Sequence, residues 1–304
     1  MNISPLPAIS TRFGVVSVLP TMVLLGWSAF LFLSGAISGY PQLQPIWDTL
    51  ESVSVPQLAL ATLIGIVVGS VLHPFQILLV RMLEGYWEVL PILRRLQYLG
   101  MEINRRRMRR LYRAGRKRDC IDQYPPDTAD FLPTRVGNAL RAAERRAGEP
   151  FGMDAIVMLP RLYPLASAAT VAFLADLRNQ LDVAARYCVV LALISVSGLA
   201  TMATDGLWLL VPAIASALTW ASYSATIRTA LSYGRGLRVF FELEHGKAVE
   251  ALGWEVPADL DRLRDLSDNL RKWLDEGGPA PSGYIGRTAQ HREREQTSIN
   301  ADTS

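Results

Sequence analysis

Four stretches of the chain, 13–40, 58–80, 187–203 and 207–227, contain no Asp, Glu, Lys or Arg and are dominated by aliphatic and aromatic residues. A hydrocarbon core about 30 Å thick is crossed by roughly 20 helical residues, so all four are predicted to be transmembrane helices paired as two hairpins. Between the second and third runs the pattern changes. Val89, Ile92, Leu96, Leu99 and Ile103 recur at intervals of three and four, the spacing of one helical face. Arg106, Arg109, Arg110, Arg113 and Lys117 carry that spacing onward, beside Arg105, Arg107, Arg116 and Arg118. One helix is expected to continue from Arg81 past the membrane surface, apolar first and cationic afterwards.

The connections refine this picture. Residues 41–57 carry Asp48 and Glu51 but no Lys or Arg, and Leu43, Trp47, Leu50 and Val53 lie near helical spacing. A short helix at the outer interface is predicted, with Trp47 at headgroup depth. The third and fourth runs are joined by Thr204-Asp205-Gly206, a tight turn by its Asp-Gly pair. Arg178, Arg186, Arg228, Arg235 and Arg238 flank the other ends of those runs, and neither outer connection has a basic residue. The positive-inside rule then places both termini and the basic middle of the chain in the cytoplasm, at the plasma membrane.

Residues 1–12 lack a strongly basic region and the run after them exceeds a cleavable signal core, so 13–40 reads as a signal anchor. Gly35-x-x-x-Gly39 and Gly65-x-x-x-Gly69 offer smooth strips for another helix, within the chain or in a second copy. His73, beside Pro74, is either a proton or ligand site or a neutral hydrogen-bonded histidine; no intramembrane carboxylate or lysine accompanies it.

The acidic segment 119–132 breaks at Pro125-Pro126 and is expected to fold back on the arginine stripe. Asn138 is expected to cap a helix over 139–147. Residues 155–175 are interrupted by Pro160, Arg161 and Pro164 and are read as a buried or surface-lying segment, with a fifth span as the alternative. Residues 231–252 continue helically, and Leu260, Leu263, Leu266, Leu270 and Trp273 form the apolar face of a last helix that needs a partner. Residues 277–304, opening GGPAPSG, are polar and breaker-rich, and disorder is expected.

Average composition conceals these contrasts. Hydrophobic residues make up 50% of the 304 and charged residues 19%, ordinary globular values, and mean hydropathy is only +0.19 because spans and charged segments offset each other. The net charge of +3 names no partner, whereas the local arginine density points to an anionic surface. Cys120 and Cys188 have no zinc-ligand or disulfide spacing and are read as free thiols.

Several blocks share order and spacing with a known group. They are Glu84-Gly85-Tyr86-Trp87, then Pro133-Thr134-Arg135-x-Gly137-Asn138-x-Leu140-Arg141-Ala142-x-Glu144, then Gly152-Met153-Asp154-Ala155 with Pro160-Arg161-Leu162-Tyr163-Pro164. Over roughly 58–273 the chain resembles a family of uncharacterised bacterial multi-pass membrane proteins, a resemblance that implies a membrane protein and supplies no catalytic residues. It departs from that family at Arg145-Arg146-Ala147-Gly148-Glu149-Pro150-Phe151, where a short aromatic turn is usual. A second departure is Phe241-Glu242-Leu243-Glu244-His245, which replaces a Phe-Asp-Leu-Tyr-Arg block.

Recognisable chemistry is sparse. Gly234-x-Gly236 follows a membrane helix rather than a strand and lacks the third glycine of a dinucleotide loop. No Walker A loop, HExxH helix or GxSxG elbow occurs, and His73, His245 and His291 form no triad or metal set, so no catalytic residue, metal or cofactor is expected. Arg135, Asn138 and Arg141 at a helix start, with Arg161, are candidate anion or lipid-headgroup ligands. Alternatively, Arg135 and Arg141 pair with Asp127, Asp130 or Asp154 to clamp a small domain. Arg105, Arg106, Arg107, Arg109, Arg110 and Arg113 are the candidate lipid-surface cluster, and nucleic acid is disfavoured for want of any nucleic-acid fold signature.

The expected architecture is an all-α integral membrane protein with two transmembrane helical hairpins and a helical cytosolic module. Its parts are a first hairpin (1–83), a basic helical region (84–185), a second hairpin (186–228), further cytosolic helices (229–276) and the tail (277–304). The expected function is that of a non-enzymatic, membrane-anchored interaction or scaffold protein held at the anionic inner leaflet, meeting lipid, a protein partner or its own copies. The alternatives are an oligomeric channel or transporter, and third, a lipid-headgroup enzyme using Asp154, Arg135 or Arg161.

Overall fold

The computed structural model of the chain describes residues 19–72, 76–87 and 91–283. The start of the first apolar run (13–18), His73 with Pro74, Val89, and the tail residues 284–304 with His291 lie outside them. Among the described residues there are eleven α-helices and no strand. In chain order they are α1 (Leu19–Leu33), α2 (Gln44–Ser52), α3 (Val55–Leu72), α4 (Gln76–Glu84), α5 (Pro91–Arg113), α6 (Lys117–Gln123), α7 (Arg135–Arg146), α8 (Ala155–Leu162), α9 (Ala168–Met202), α10 (Leu210–Ala251) and α11 (Leu260–Glu276). They divide into two units: residues 1–90 with 178–229, and 91–177 with 230–304. Helices α9 and α10 each contribute to both.

The first unit is built on apolar helices. Two helical stretches, Ala168–Met202 and Gly206–Ala251, are long and apolar enough to cross a membrane. The pair Gln44–Ser52 and Val55–Val71 reaches that standard only when taken together, and it turns by 106° at its break. Helix α1 is shorter, at 15 residues. Gly206, at φ +59°, opens the single 3-10 turn that leads into α10, a conformation that costs glycine little.

Small and hydroxyl residues join the apolar helices. Ser195 and Ser216 share a hydrogen bond at 2.5 Å between α9 and α10, and Ser222 Oγ donates to the Ala184 carbonyl at 3.2 Å. Trp27 Nε1 donates to Ser197 Oγ at 2.9 Å, tying α1 to α9, and its ring lies beside Gly198, where a Cβ would meet it at 3.3 Å. On α3 only Gly65 and Gly69 are buried between 55 and 71, and Gly65 lies against the Met22 side chain of α1. That close approach is the use of the Gly-x-x-x-Gly pattern in this fold.

The second unit has its own core. Met153, Met158, Leu162, Leu174, Leu237, Phe240, Phe241, Val249, Trp254, Leu263 and Leu270 are buried together, drawn from α8, α9, α10 and α11 and the turns between them. The apolar face of α11 therefore finds its partner inside the chain, although Leu260 at its first turn stays exposed. Gly152, at φ +68°, admits the backbone of Arg264: an added Cβ would stand 2.8 Å from the Arg264 Cα. Ser267 is 2% exposed and its hydroxyl has no hydrogen-bond partner among the described residues, so its burial is uncompensated there. Ser267→Ala is expected to raise stability by about 0.5–1 kcal/mol, read as a later midpoint in thermal unfolding in detergent.

Three expectations about helix limits are corrected. The helix through Arg81 does not run on: Gly85, at φ +98°, ends α4, with the Tyr86 N–H returning to the Arg81 carbonyl at 3.2 Å. Pro91 then occupies the first position of a separate helix, where its missing N–H costs nothing. The cationic stripe stops at Arg113 because Gly115, at φ +73°, turns the chain, the Arg116 N–H closing on the Leu111 carbonyl at 3.0 Å. Helix α7 begins at Arg135 rather than 139, capped by Thr134, whose Oγ1 accepts from the Gly137 N–H at 3.0 Å.

Candidate functional site

Two regions of the second unit are dense in arginine, and they differ in what the arginines face. The first is α5. Its inner side presents Gly100 and Asn104 to the 132–133 turn: Asn104 Nδ2 donates to the Pro133 carbonyl at 2.8 Å, and a Cβ on Gly100 would lie 2.6 Å from that same oxygen. The outer side is solvent-exposed. Leu96, Leu99 and Ile103 are 51%, 63% and 57% exposed, unusual values for an apolar helical face in a unit with its own core. Arg106, Arg107, Arg109, Arg110 and Arg113 are exposed beyond them, and Arg105 is half-buried. One surface pair forms, Arg106 Nε to Glu102 at 3.1 Å.

Among the described residues the carboxylates of the acidic segment pair away from the arginines of α5, although the end of the segment reaches that helix, Asn104 Nδ2 donating to the Leu132 carbonyl at 3.4 Å. Asp119 pairs with Arg116 at 2.6 Å, the turn residue beside it. Asp122, mostly buried, receives Arg238 Nη2 at 2.6 Å and stands 3.5 Å from Arg235 Nε, so α6 is fastened to α10. Asp130 receives Arg145 at 2.7 and 3.1 Å, and Arg141 approaches it at 3.9 Å. Geometry explains the choice: Arg141 and Arg145, four residues apart and so neighbours on one side of α7, both face Asp130.

The second region is this α7 knot. Asn138, with no exposed surface, accepts from the Leu132 N–H at 3.0 Å and donates to the carbonyls of Leu132 at 2.6 Å and Thr134 at 2.7 Å. It pins the turn before α7 and does not cap the helix. Arg141 donates to Glu144 at 3.2 Å. Arg145 lies 3.9 Å from Asp154, and its hydrogen bond to Asp130, against the desolvation of burial, raises its pKa. Asp154 caps α8 by accepting from the Ile156 and Val157 N–H groups at 2.8 and 3.4 Å. Arg161 donates to the Val157 carbonyl one turn earlier at 2.5 Å, and Arg135 sits half-buried at the first position of α7. Asn138, Arg141 and Arg161 thus each have partners within the chain, and the carboxylates in the knot are Asp130, Glu144 and Asp154.

Sequence reasoning missed one buried charge. Glu244, 3% exposed on α10, accepts from the Ser167 N–H at 3.0 Å and the Thr170 hydroxyl at 2.7 Å, and its other oxygen faces Lys247 at 2.6 Å. Ser167 and Thr170 are themselves hydrogen-bonded through their hydroxyls. The carboxylate therefore satisfies orphan donors at the start of α9 from across the unit. Burial is the largest single influence on it and opposes ionisation, yet the bonds from Lys247, Ser167 and Thr170 outweigh burial and hold its pKa at about 2. Lys247 is a local partner at i+3, an ordinary surface spacing, whereas the Ser167 and Thr170 donors that mark the buried site are 77 and 74 residues away, so no local signal announces it.

Cysteine and metal chemistry add nothing further. Cys120 and Cys188 are free thiols, and burial, offset in part by Arg146, pushes the Cys120 thiol up. Among the described residues no group of three or more His, Cys, Asp or Glu side chains could hold a metal ion.

Fold and site together define an all-helical protein with two helices able to span a membrane and a separate helical unit bearing an exposed cationic helix. Comparison of the chain with family models, with curated proteins and with solved structures gave no match.

Proposed function

We propose that the protein is a non-enzymatic, membrane-anchored scaffold, a multi-pass protein of a bacterial cytoplasmic membrane. Its apolar helices fix the second unit against the inner leaflet, where that unit meets other macromolecules. The observation that carries this reading is continuity. Helices α9 and α10 each run from an apolar stretch long enough to cross a membrane into residues that belong to the buried core of the second unit, so that unit is covalently tied to the apolar helices through both. In this reading 13–40 and 58–80 form a first hairpin and both termini are cytoplasmic, supported by the absence of Lys and Arg from 41–57 and from the 204–206 turn.

Crosslinking in native membranes followed by mass spectrometry tests the scaffold role. Reproducible crosslinks from the exposed lysines of the second unit, Lys117, Lys247 and Lys272, to one partner or to a second copy are the expected result. Crosslinks confined to the chain itself, together with no preference for anionic lipid, would contradict it.

A further inference from the structure

We infer that α5 is a one-sided membrane-docking helix: the flank bearing Leu96, Leu99 and Ile103 enters the interface of an anionic phospholipid bilayer, and Arg106, Arg110 and Arg113 bind lipid phosphates. This rests on the scaffold reading above and identifies what one of its surfaces meets.

The six residues follow one another at steps of three, four, three, four and three, so they form a single stripe along the helix. All six are exposed. The stripe changes character midway: apolar over its first half, cationic over its second, with about 21 Å of helix between Leu96 and Arg110. A purely solvated helix has no use for the exposed leucines and isoleucine, and a purely protein-facing one has no use for so dense a positive row. An anionic lipid surface accommodates both, because acyl chains lie directly beneath a layer of phosphates. Only Glu102 supplies a carboxylate to the helix, and it reaches Arg106 alone. The face adjoining the stripe is committed within the protein through Gly100 and Asn104, which fixes the rotation of α5 and leaves the stripe itself exposed.

That fixed rotation makes the proposal side-specific. Tyr98 and Tyr112, 66% and 62% exposed, lie on the other flank of the helix and stay in water when the stripe is docked.

The test uses the full chain, with Cys120 and Cys188 replaced by serine, in nanodiscs of phosphatidylcholine alone or with phosphatidylglycerol. Single cysteines at 98, 99, 103 and 112 carry an environment-sensitive fluorophore. In anionic discs, labels at 99 and 103 are expected to shift to the blue and to be quenched by lipids spin-labelled at a shallow acyl carbon, while labels at 98 and 112 are not. R106Q/R110Q/R113Q, with helicity and unfolding midpoint unchanged, is expected to weaken docking on the order of 100-fold and return the 99 label to water. Three results overturn the proposal: labels at 99 and 103 in water in both discs, equal burial with and without anionic lipid, or equal burial of all four labels. Extraction separates this failure from failure of the anchor: a chain that resists alkaline carbonate but leaves the 99 label in water loses only the docking surface.

Discussion

Glu244→Ala is expected to destabilise the second unit by about 3 kcal/mol at neutral pH, seen as a lower unfolding midpoint in mild detergent. The substitution removes the carboxylate oxygen that accepts from the Thr170 hydroxyl and the Ser167 N–H, and it strips Lys247 of its 2.6 Å partner. Glu244→Gln keeps a neutral acceptor and is expected to cost about half as much. Titration separates charge from shape. The folded pKa of about 2 lies below the ordinary value of 4.5, so the carboxylate contributes stability that is fully present above 4.5 and disappears as pH falls from 4.5 towards 2. The wild-type chain should therefore lose stability through that window more steeply than Glu244→Gln. Equal slopes, or an alanine variant that unfolds with the wild type, would show that the clamp contributes nothing.

Asn138→Ala should cost about 2–4 kcal/mol. Its side chain holds three backbone groups of the turn before α7; alanine removes the acceptor of the Leu132 N–H and leaves the carbonyls of Leu132 and Thr134 only the longer bonds from Asn104 Nδ2 at 3.4 Å and the residue 138 N–H at 3.2 Å. Asn138→Asp is expected to be no better, because a carboxylate still accepts from Leu132 N–H but opposes the carbonyls of Leu132 and Thr134. The same variants decide between the two roles open to this residue. A pin lowers the unfolding midpoint and leaves the preference of the folded protein for anionic lipid unchanged. A headgroup ligand would lower the lipid preference while the folded protein keeps its stability.

The legible parts of the fold were those written in composition or period. The runs at 187–203 and 207–227 lie inside the two helices long enough to cross a membrane, and the Leu263–Leu270 face of α11 is buried as its spacing indicates. Helix ends were harder because periodicity carries on through a residue that reverses the backbone. The Arg106 to Lys117 spacing runs on through the turn at Gly115, and the helix expected through Arg81 ends at the turn of Gly85. Both breaks were nonetheless signalled, since a glycine just past a helical run is the usual left-handed stop.

The first apolar pair shows the limit of composition. Helix α1 is only 15 residues long, and α3 meets the length and apolarity of a span only when taken together with α2, at 106° to it. Ion pairs were less legible still. Asp130 lies near Arg141 in sequence, but Arg145 holds it more closely; Asp122 reaches Arg238, which is 116 residues away. Such partners follow from how helices pack, and no spacing along the chain encodes them.

Side-specific labelling at position 118 tests the anchored topology most directly. With Cys120 and Cys188 replaced by serine, a cysteine at the exposed Arg118 position is challenged with a membrane-impermeant maleimide on intact cells and after permeabilisation. Protection in intact cells and labelling only once the membrane is opened is the expected result. Labelling of intact cells, or a chain that stays soluble without detergent, would contradict a second unit held at the inner face of the membrane.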